Sequence, residues 1–467
     1  MDWPAELETA HRELSELDWQ FREFASRHPD GLRRAAFASL DQNHPLIDYR
    51  LQAWPTFLGR ARARELARVS VGLYDLIRGI PERVFGNEPE WLSDYYGLGN
   101  PEYVREILQP PHGLEEAVGR GDFIATRSGL KCLEFNVTPN LGGLDASVIT
   151  DLMLQVPLVQ SFLQTHQVRI AEKDILHLFF RHIVRCVERA GLVDHGEVNI
   201  AVVATYLNRQ QGKDLVAQRY LQEQYEATLE RLGGGFRGSV LLVGHHDLKL
   251  EANRIHDGPT GLVLHGLMLT SVRFGTEGPL YQCFKQGGVQ LFNGPASLLS
   301  NNKYTLAVLS EMSDSGIYSP EEARLIEDHV PWTRRLAARE TTYHGQRVYL
   351  PDLLLAEQPQ LILKRALSFG GKDVVLGPFV TAQAWREAVA LALESGNWVA
   401  QEFAESLPYL FQAGEDGCSL HDANWGPFVF GREYAGAILR VQPKAMQDVI
   451  NLTQTASEGI LFEVIDE

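Results

Sequence analysis

Two short runs that a hairpin would join constrain this chain more than any other feature. They are Arg120-Gly121-Asp122-Phe123-Ile124-Ala125-Thr126 and Leu130-Lys131-Cys132-Leu133-Glu134-Phe135-Asn136, separated by Arg127-Ser128-Gly129. A three-residue loop with Gly129 in the left-handed position pairs Thr126 with Leu130. That register sets Asp122 directly opposite Glu134, and Arg120 opposite Asn136. Side chains two apart share a face of a strand. The even-numbered residues then form a polar face, and Phe123, Ala125, Leu133 and Phe135 an apolar one. Carboxylates placed directly across a ladder repel each other, so the pairing requires positive charge between them. Oxygen donors from Asp122, Glu134 and Asn136 suit Mg²⁺, which keeps waters and takes phosphate oxygens. Arg120 beside them can hold a phosphate in a fork. The competing reading is a solvated hairpin whose charges face water, and a two-residue loop would shift the register and make the Asp122–Glu134 contact diagonal.

A second constellation lies far downstream. Leu361-Ile362-Leu363-Lys364 reads as a strand, Ser368-Phe369-Gly370-Gly371-Lys372 as a glycine turn, and Val374-Val375-Leu376-Gly377 as a second strand. Glycines let backbone N–H groups approach phosphate oxygens, and Lys364 and Lys372 bring point charges. No Ser or Thr follows the lysine and no helix starts there, so this is no Walker A loop. By itself the run is better explained by an ordinary hairpin turn. Trp398-Val399-Ala400-Gln401-Glu402-Phe403 is an apolar strand whose end can offer backbone hydrogen bonds to an adenine edge, with Glu402 reaching a ribose hydroxyl or the exocyclic amine. Lys303, in Ser300-Asn301-Asn302-Lys303, opens a helical run and can reach a phosphate; a surface lysine at a helix start reads the same way.

Charge narrows the partners. Forty-three Lys and Arg stand against 60 Asp and Glu, a net charge of −17 over 467 residues. Such a surface repels phosphate backbones and argues against nucleic acid. A site for ATP must then be locally positive, so basic residues inside motifs carry extra weight. Cys132, Cys186, Cys283 and Cys418 form no CxxC pair, and a reduced cytoplasmic protein is expected. The polar N-terminus reads as no signal peptide. No run is long and apolar enough to span a bilayer, which leaves the sequons at Asn136 and Asn451 incidental.

Periodicity predicts mostly helix over residues 1–110, with Pro81, Pro101, Pro110 and Pro111 breaking the later part into short elements. Apolar helices are expected near 145–165 and 170–191, and an α/β alternation over 197–275. Residues 303–345 read as helical, and 425–465 as strands. Gly233-Gly234-Gly235-Phe236-Arg237-Gly238 fits G-x-G-x-x-G but follows a helix and precedes a strand, the reverse of a dinucleotide site, and is read as a helix stop. His245-His246-Asp247 is read as a turn, because adjacent strand residues point to opposite sides. Asn140-Leu141-Gly142-Gly143 is either a turn before a helix or part of an acceptor site.

Together these pieces resemble the ATP-grasp superfamily, in its circularly permuted branch that includes glutathionylspermidine synthetase-like ligases. In ordinary members the metal-binding E-x-N follows the lysines and the glycine loop; here Glu134-x-Asn136 precedes them. Arg120-x-Asp122 before Glu134-x-Asn136 matches the synthetase-like arrangement. Gly436-Ala437-Ile438-Leu439-Arg440-Val441 matches a closing pattern more loosely, with Ala437 where a second glycine is usual. The likeness covers roughly 115–150 and 290–445. It implies an α/β (α+β) chain with a permuted ATP-grasp fold and a helical N-terminal region. The units would be residues 1–115 (helical), 116–165 (metal-binding hairpin), 166–300 (α/β), 301–405 (nucleotide-binding) and 406–467 (closing strands).

The resemblance further implies that Asp122, Glu134 and Asn136 hold Mg²⁺ and that Arg120 and Arg440 contact the transferring phosphate or an acyl phosphate. Lys303, Lys364, Gly370, Gly371, Lys372, Gln401, Glu402 and Phe403 would bind ATP. The implied activity activates a small-molecule or peptide carboxylate as an acyl phosphate and couples it to an amine. That chemistry needs positioning and charge neutralisation rather than a nucleophilic Ser or Cys, and a glycine-hinged loop near 366–373 would keep water out. An ATP-grasp phosphotransferase and an inactive nucleotide-binding partner protein are the alternatives. Oligomeric state is not legible in the sequence.

Overall fold

The computed structural model describes residues 4–28, 49–171, 173–204, 213–270, 276, 278–368, 371, 373–413, 417–452 and 455–465. Helices Ala5–Leu14 and Glu16–Arg27 open the chain, divided at Ser15, whose side chain caps the second by accepting from the Asp18 N–H. Strand β1 (Thr56–Leu58) follows, then helix Arg60–Arg83, which buries Leu66, Val69, Leu73, Ile77 and Ile80 at helical spacing. Pro81 does not break this helix but sits in its last turn, and the Val84 N–H still reaches the Ile80 carbonyl. Helices Pro89–Tyr95 and Pro101–Leu108 each carry their proline in the first turn, where a missing N–H costs nothing.

The hairpin β2 (Val118–Thr126) and β3 (Gly129–Asn136) is followed by helices Ala146–Leu154, Pro157–Thr165 and Ile175–Arg189. An α/β unit comes next. Strands β4 (Ile200–Ala204), β5 (Val240–Gly244), β9 (Gly266–Leu269) and β10 (Gln290–Phe292) form a parallel sheet in the order β10-β9-β4-β5. Its connections carry helix Lys213–Leu232 and a small antiparallel sheet of β6 (Leu248–Glu251), β7 (Arg254–Asp257) and β8 (Val263–Leu264). Gly233, at φ 66°, follows the last helical residue, so the glycine run does stop the helix. His245–Asp247 is a single 3₁₀ turn.

Only part of 303–345 is helical. Helices Tyr304–Met312 and Pro320–His329 form, but β11 (Thr333–Arg335), β12 (Glu340–Tyr343) and β13 (Gln346–Tyr349) follow. These strands are three or four residues long, too short for a period of two to stand out. Strands β14 (Leu361–Arg365), β15 (Val374–Leu376) and β16 (Trp398–Glu402) join β11 in an antiparallel sheet, order β11-β16-β14-β15. Its back packs on helices Leu350–Ala356 and Ala382–Ser395 through Leu361, Leu363, Trp398 and Ala400.

The chain ends with β17 (Tyr409–Ala413), β18 (Gly417–Phe430), β19 (Glu433–Pro443), β20 (Ser457–Gly459) and β21 (Leu461–Glu463). β20, β19, β18, β2 and β3 lie side by side in that order, with β17 also pairing β18. The largest core, including Phe57, Leu73, Phe123, Trp425 and Phe462, gathers residues from both ends of the chain onto this sheet. Helices and strands of both pairing senses are mixed throughout, as the α+β class requires.

Candidate active site

The hairpin reaches its register by a different route from the one its sequence suggests. Arg127 and Ser128 alone make the turn, so Thr126 pairs with Gly129 and Phe123 with Cys132. One extra residue, Leu133, is then bulged out of β3, and beyond it Asp122 pairs with Glu134 and Arg120 with Asn136. A bulge resets the alternation of the strand that carries it. Leu130 and Cys132, not Leu133, therefore join Phe123, Ala125 and Phe135 in the core. The Leu133 carbonyl accepts a hydrogen bond from Lys364 Nζ at 3.0 Å, which joins the hairpin to the β14 sheet.

The long-range pairings extend the polar face across the whole sheet. Glu458 on β20 stands opposite Arg440 on β19, and Arg440 opposite Asn424 on β18. Arg440 Nη2 donates to Asn424 Oδ1 at 3.1 Å and to Asp122 Oδ1 at 2.6 Å. Arg120 Nε reaches the same Asp122 oxygen at 3.3 Å, while its Nη1 donates to the Leu141 carbonyl and, at 3.4 Å, to that of Gly142. The turn Asn140–Gly143 is thus tied to the site through Arg120. Glu134 Oε1 pairs with Lys303 Nζ at 2.9 Å, and Lys303, at the start of helix Tyr304–Met312, also donates to the Ser368 carbonyl at 2.8 Å. Lys364 Nζ donates to Gln401 Oε1 at 2.7 Å, and Gln401 Nε2 to Thr333 Oγ1 at 3.0 Å.

The positive charge demanded by the facing carboxylates is thus supplied by the protein. Arg120, Arg440, Lys303 and Lys364 surround Asp122 and Glu134, and the locality is net positive in a chain of net charge −17. Burial would raise the Asp122 carboxyl, but Arg440 and then Arg120 hold it below the usual carboxylate range. Burial, and next Arg440, lower the Arg120 guanidinium. Burial pushes the Lys364 ammonium down to about 8, against the pull of Glu134. Glu458 moves the other way, pushed up to about 8 by burial and then by Asp145.

The donor set is compatible with Mg²⁺. The ion pairs run through Oδ1 of Asp122 and Oε1 of Glu134, and Asn136 shares the face of Glu134 on β3. Among the described residues no three His, Cys, Asp or Glu side chains converge as in an all-protein cage. Mg²⁺ is ordinarily held by one or two carboxylates completed with phosphate oxygens and water, so a facing pair is enough.

The expected nucleotide contacts divide into three groups. Lys303 and Lys364 meet the hairpin, and Gln401 is joined to it through Lys364. Gly370 and Lys372 lie outside the described residues; Gly371 is at φ 70°, and a Cβ there would sit 3.0 Å from Val449 Cγ1, so Gly371 itself lies against the C-terminal segment. Glu402 and Phe403 point elsewhere. Their N–H groups donate to the Trp332 and Gln360 carbonyls at 2.8 and 2.7 Å, so they are not open to an adenine edge. The Glu402 carboxylate is 3.3 Å from His344 Nε2. Both residues instead line a cavity of about 1010 Å³, together with Lys131, Trp332, Arg334 and the hairpin turn. Asp122, Glu134, Lys303 and Lys364 are not among its walls; β3 runs from Lys131 at the cavity to Glu134 at the ion-pair cluster. Sequence reasoning missed Asn424, Glu458 and Lys131. Lys131 lay inside the singled-out hairpin, whereas Glu458 acquires meaning only through its pairing with β19.

No family model matches this sequence, and no curated protein matches it. Solved structures do. The chain is similar to a glutathione synthetase-like effector from Globodera pallida in its apo form, at 12% identity over 97% of this chain and 98% of that one, with a TM-score of 0.57. It is more loosely similar to a putative gamma-glutamylcysteine synthetase from Methylobacillus flagellatus, at 12% identity over 84% and 86% of the two chains, with a TM-score of 0.40. At such identity only architecture is shared, and the chain has, nearly end to end, the fold of a glutathione synthetase-like protein.

Proposed function

We propose that this protein is an ATP- and Mg²⁺-dependent carboxylate–amine ligase of the permuted ATP-grasp kind. A small-molecule or peptide carboxylate attacks the γ-phosphorus of ATP, giving an acyl phosphate and ADP. An amine then attacks the acyl carbon, releasing phosphate and a proton. The observation that carries this reading is the facing pair Asp122–Glu134, bracketed by Arg120 and Arg440 on one side and Lys303 and Lys364 on the other. Phosphoryl transfer asks for fixed cations around spreading negative charge rather than for a covalent catalyst. Asp122, Glu134 and Asn136 would hold Mg²⁺, which would supply neutralisation of phosphate charge there, with Arg120 and Arg440 orienting the transferred group. The cavity beside Glu402 and Phe403 is large enough for the nucleoside, and β3 leads from it to the cations. The metal hairpin precedes the nucleotide lysines in chain order, as permutation requires. Four free cysteines fit a reducing cytoplasm.

The test is a screen of carboxylate and amine pools with ATP and Mg²⁺, read by ADP release and product mass. Amine-dependent ADP release with an amide product is expected, and Glu134→Gln should abolish it while the chain still melts in a single cooperative transition. ADP release with a phosphorylated product and no amine requirement would make the enzyme a phosphotransferase instead. One observation favours a second reading. Both carboxylates are already neutralised by protein cations, as they could be in a nucleotide-binding protein without turnover; ATP binding with no ADP release from any pool would establish that reading.

A further inference from the structure

A second concentration of positive charge lies at the opposite end of β2 from the hairpin turn. A cavity of about 440 Å³ there is walled by Arg78, Arg181, Arg185, Arg189 and Arg432. They come from three places remote in sequence: helix Arg60–Arg83, helix Ile175–Arg189 and the β18–β19 turn. Arg181, Arg185 and Arg189 recur every four residues and so line one helix face. Glu115, Glu116 and Glu433 also line the cavity, but the guanidinium groups outnumber them, in a chain whose net charge is −17.

The floor is built to hold this shape. Gly431, at φ 61°, closes the β18–β19 turn so tightly over the His182 ring that a Cβ would lie 2.9 Å from its Cε1. That close approach brings Arg432 over the cavity. His182 Nε2 is anchored on the Glu116 carbonyl at 2.8 Å.

The guanidinium groups other than Arg78, in contrast, are weakly committed. Arg189 Nη2 donates to the Cys186 sulfur at 3.1 Å, a poor acceptor. Arg78 is held by Asp75 and by the Leu114 and Glu115 carbonyls at 3.2 and 3.3 Å, and only its buried Nε is left without a hydrogen-bond partner. Arg185 pairs with Glu188 at 2.7 Å and Arg432 with Asp75 at 3.5 Å, both between well-exposed side chains, and Arg181 pairs with the exposed Glu433. Exposed pairs of this kind are worth about 0–1 kcal/mol. A compact polyanion offering several oxygens to forked donors would displace them readily.

The geometry points to a second ligand site in this cavity, for a small molecule carrying a diphosphate or similarly clustered phosphate charge. It is separate from the Asp122–Glu134 centre and does not depend on that centre's chemistry. A solvated arginine rim with no ligand is the alternative that the test must separate from it.

The test uses the full-length protein and inorganic pyrophosphate. Phenylglyoxal modification, read residue by residue from peptide masses, should slow about tenfold or more at Arg185 and Arg432 when pyrophosphate is present. Chloride at equal ionic strength should not protect. Calorimetry should find a pyrophosphate site that is lost in Arg185→Gln/Arg432→Gln and kept in Lys303→Gln. Both Arg185 and Arg432 are exposed, so their variants should melt as the wild type does; protection in the unmodified chain stands whether or not they do. Absence of protection, equal protection by chloride, or unchanged stoichiometry in the double variant would overturn the assignment.

Discussion

Lys364 occupies a place where a charged ammonium is held at a cost. It is 6% exposed, and burial pushes it down to about 8 while Glu134 pulls it back up and Lys303 opposes that pull. If its charge holds a phosphate, nucleotide affinity in the free enzyme should be complete below about pH 8 and should fall as pH rises through that value. Its share of folding stability runs the other way. A lysine whose folded value lies below the ordinary 10.5 costs stability while charged, and the cost is relieved as pH climbs from about 8 towards the ordinary value. Titrating ATP affinity from pH 6.5 to 9.5 in wild type and in Lys364→Met checks the first statement; equal slopes in the two proteins would remove Lys364 from the site. Arg440 gives a second residue-scale expectation. Arg440→Met leaves Asp122, 14% exposed at its side chain, with the 3.3 Å contact to Arg120 as its remaining ion pair. Breaking a buried pair from one side should cost about 3 kcal/mol in urea unfolding and abolish ADP release; a cost near zero would mean that Asp122 is solvated in solution.

At the scale of elements, the N-terminal helices are bound to the sheet by one buried network. Asp18 accepts from the Phe57 N–H at 2.8 Å and from Arg22 at 2.9 Å, and its other oxygen meets His11 Nδ1 at 2.6 Å. The Leu410 N–H donates to His11 Nε2 at 2.8 Å. Nε2 therefore carries no proton, Nδ1 donates to Asp18, and His11 is neutral. Burial lowers its value from the ordinary 6.5, outweighing the opposing pull of Asp18. Its contribution is present above about pH 6.5 and is lost as pH falls below that, because the unfolded state then takes a proton that the folded state resists. His11→Ala should cost about 2–4 kcal/mol at pH 7.5, and His11→Gln should flatten the loss of urea stability between pH 7 and 5.5. An unaltered slope would place the acid sensitivity elsewhere. The network also marks where legibility ends. Period alone put Asp122 and Glu134 on one face of the hairpin, but the three-residue loop expected to pair them does not form; a two-residue turn and the bulge at Leu133 together restore the same register. The bulge at Leu133 was not legible, because the contact made at it, from Lys364 far downstream to a β3 carbonyl, is a long-range one. In the same way β12 and β13 carry too few residues to declare a period, and the strand end at Glu402–Phe403 reads as open until the Trp332 and Gln360 carbonyls claim its N–H groups.

The molecule as a whole closes on itself through its two ends. β1 pairs in parallel with β21, Thr56 beside Leu461 and Leu58 beside Glu463. Just upstream, the Gln52 N–H donates to the Glu458 carbonyl at 2.7 Å and the Glu458 N–H to the Arg50 carbonyl at 2.8 Å. Residues near position 50 thus form a further edge beside β20, which in turn covers β19 and the Arg440 row. Ile460, Phe462 and Val464 are each at most 3% exposed, and Phe462 lies against Phe57 with ring centroids 5.5 Å apart. Burying three such side chains contributes roughly 5–9 kcal/mol, comparable to the whole stability of an ordinary domain, about 5–15 kcal/mol. Removing residues 456–467 would also leave β19 as an unpaired edge and remove the strand that stands opposite Arg440. The truncated chain should therefore lose its cooperative melt and aggregate rather than fold into a shorter enzyme. Phe462→Ala should cost about 3–5 kcal/mol and keep a single transition at lower temperature, with the hairpin and its ion pairs intact. Calorimetry on the two variants separates local packing from closure. If the truncated chain melted cooperatively near the wild-type temperature, the ends would be ornament to the sheet and not the seam that holds the polar row in place.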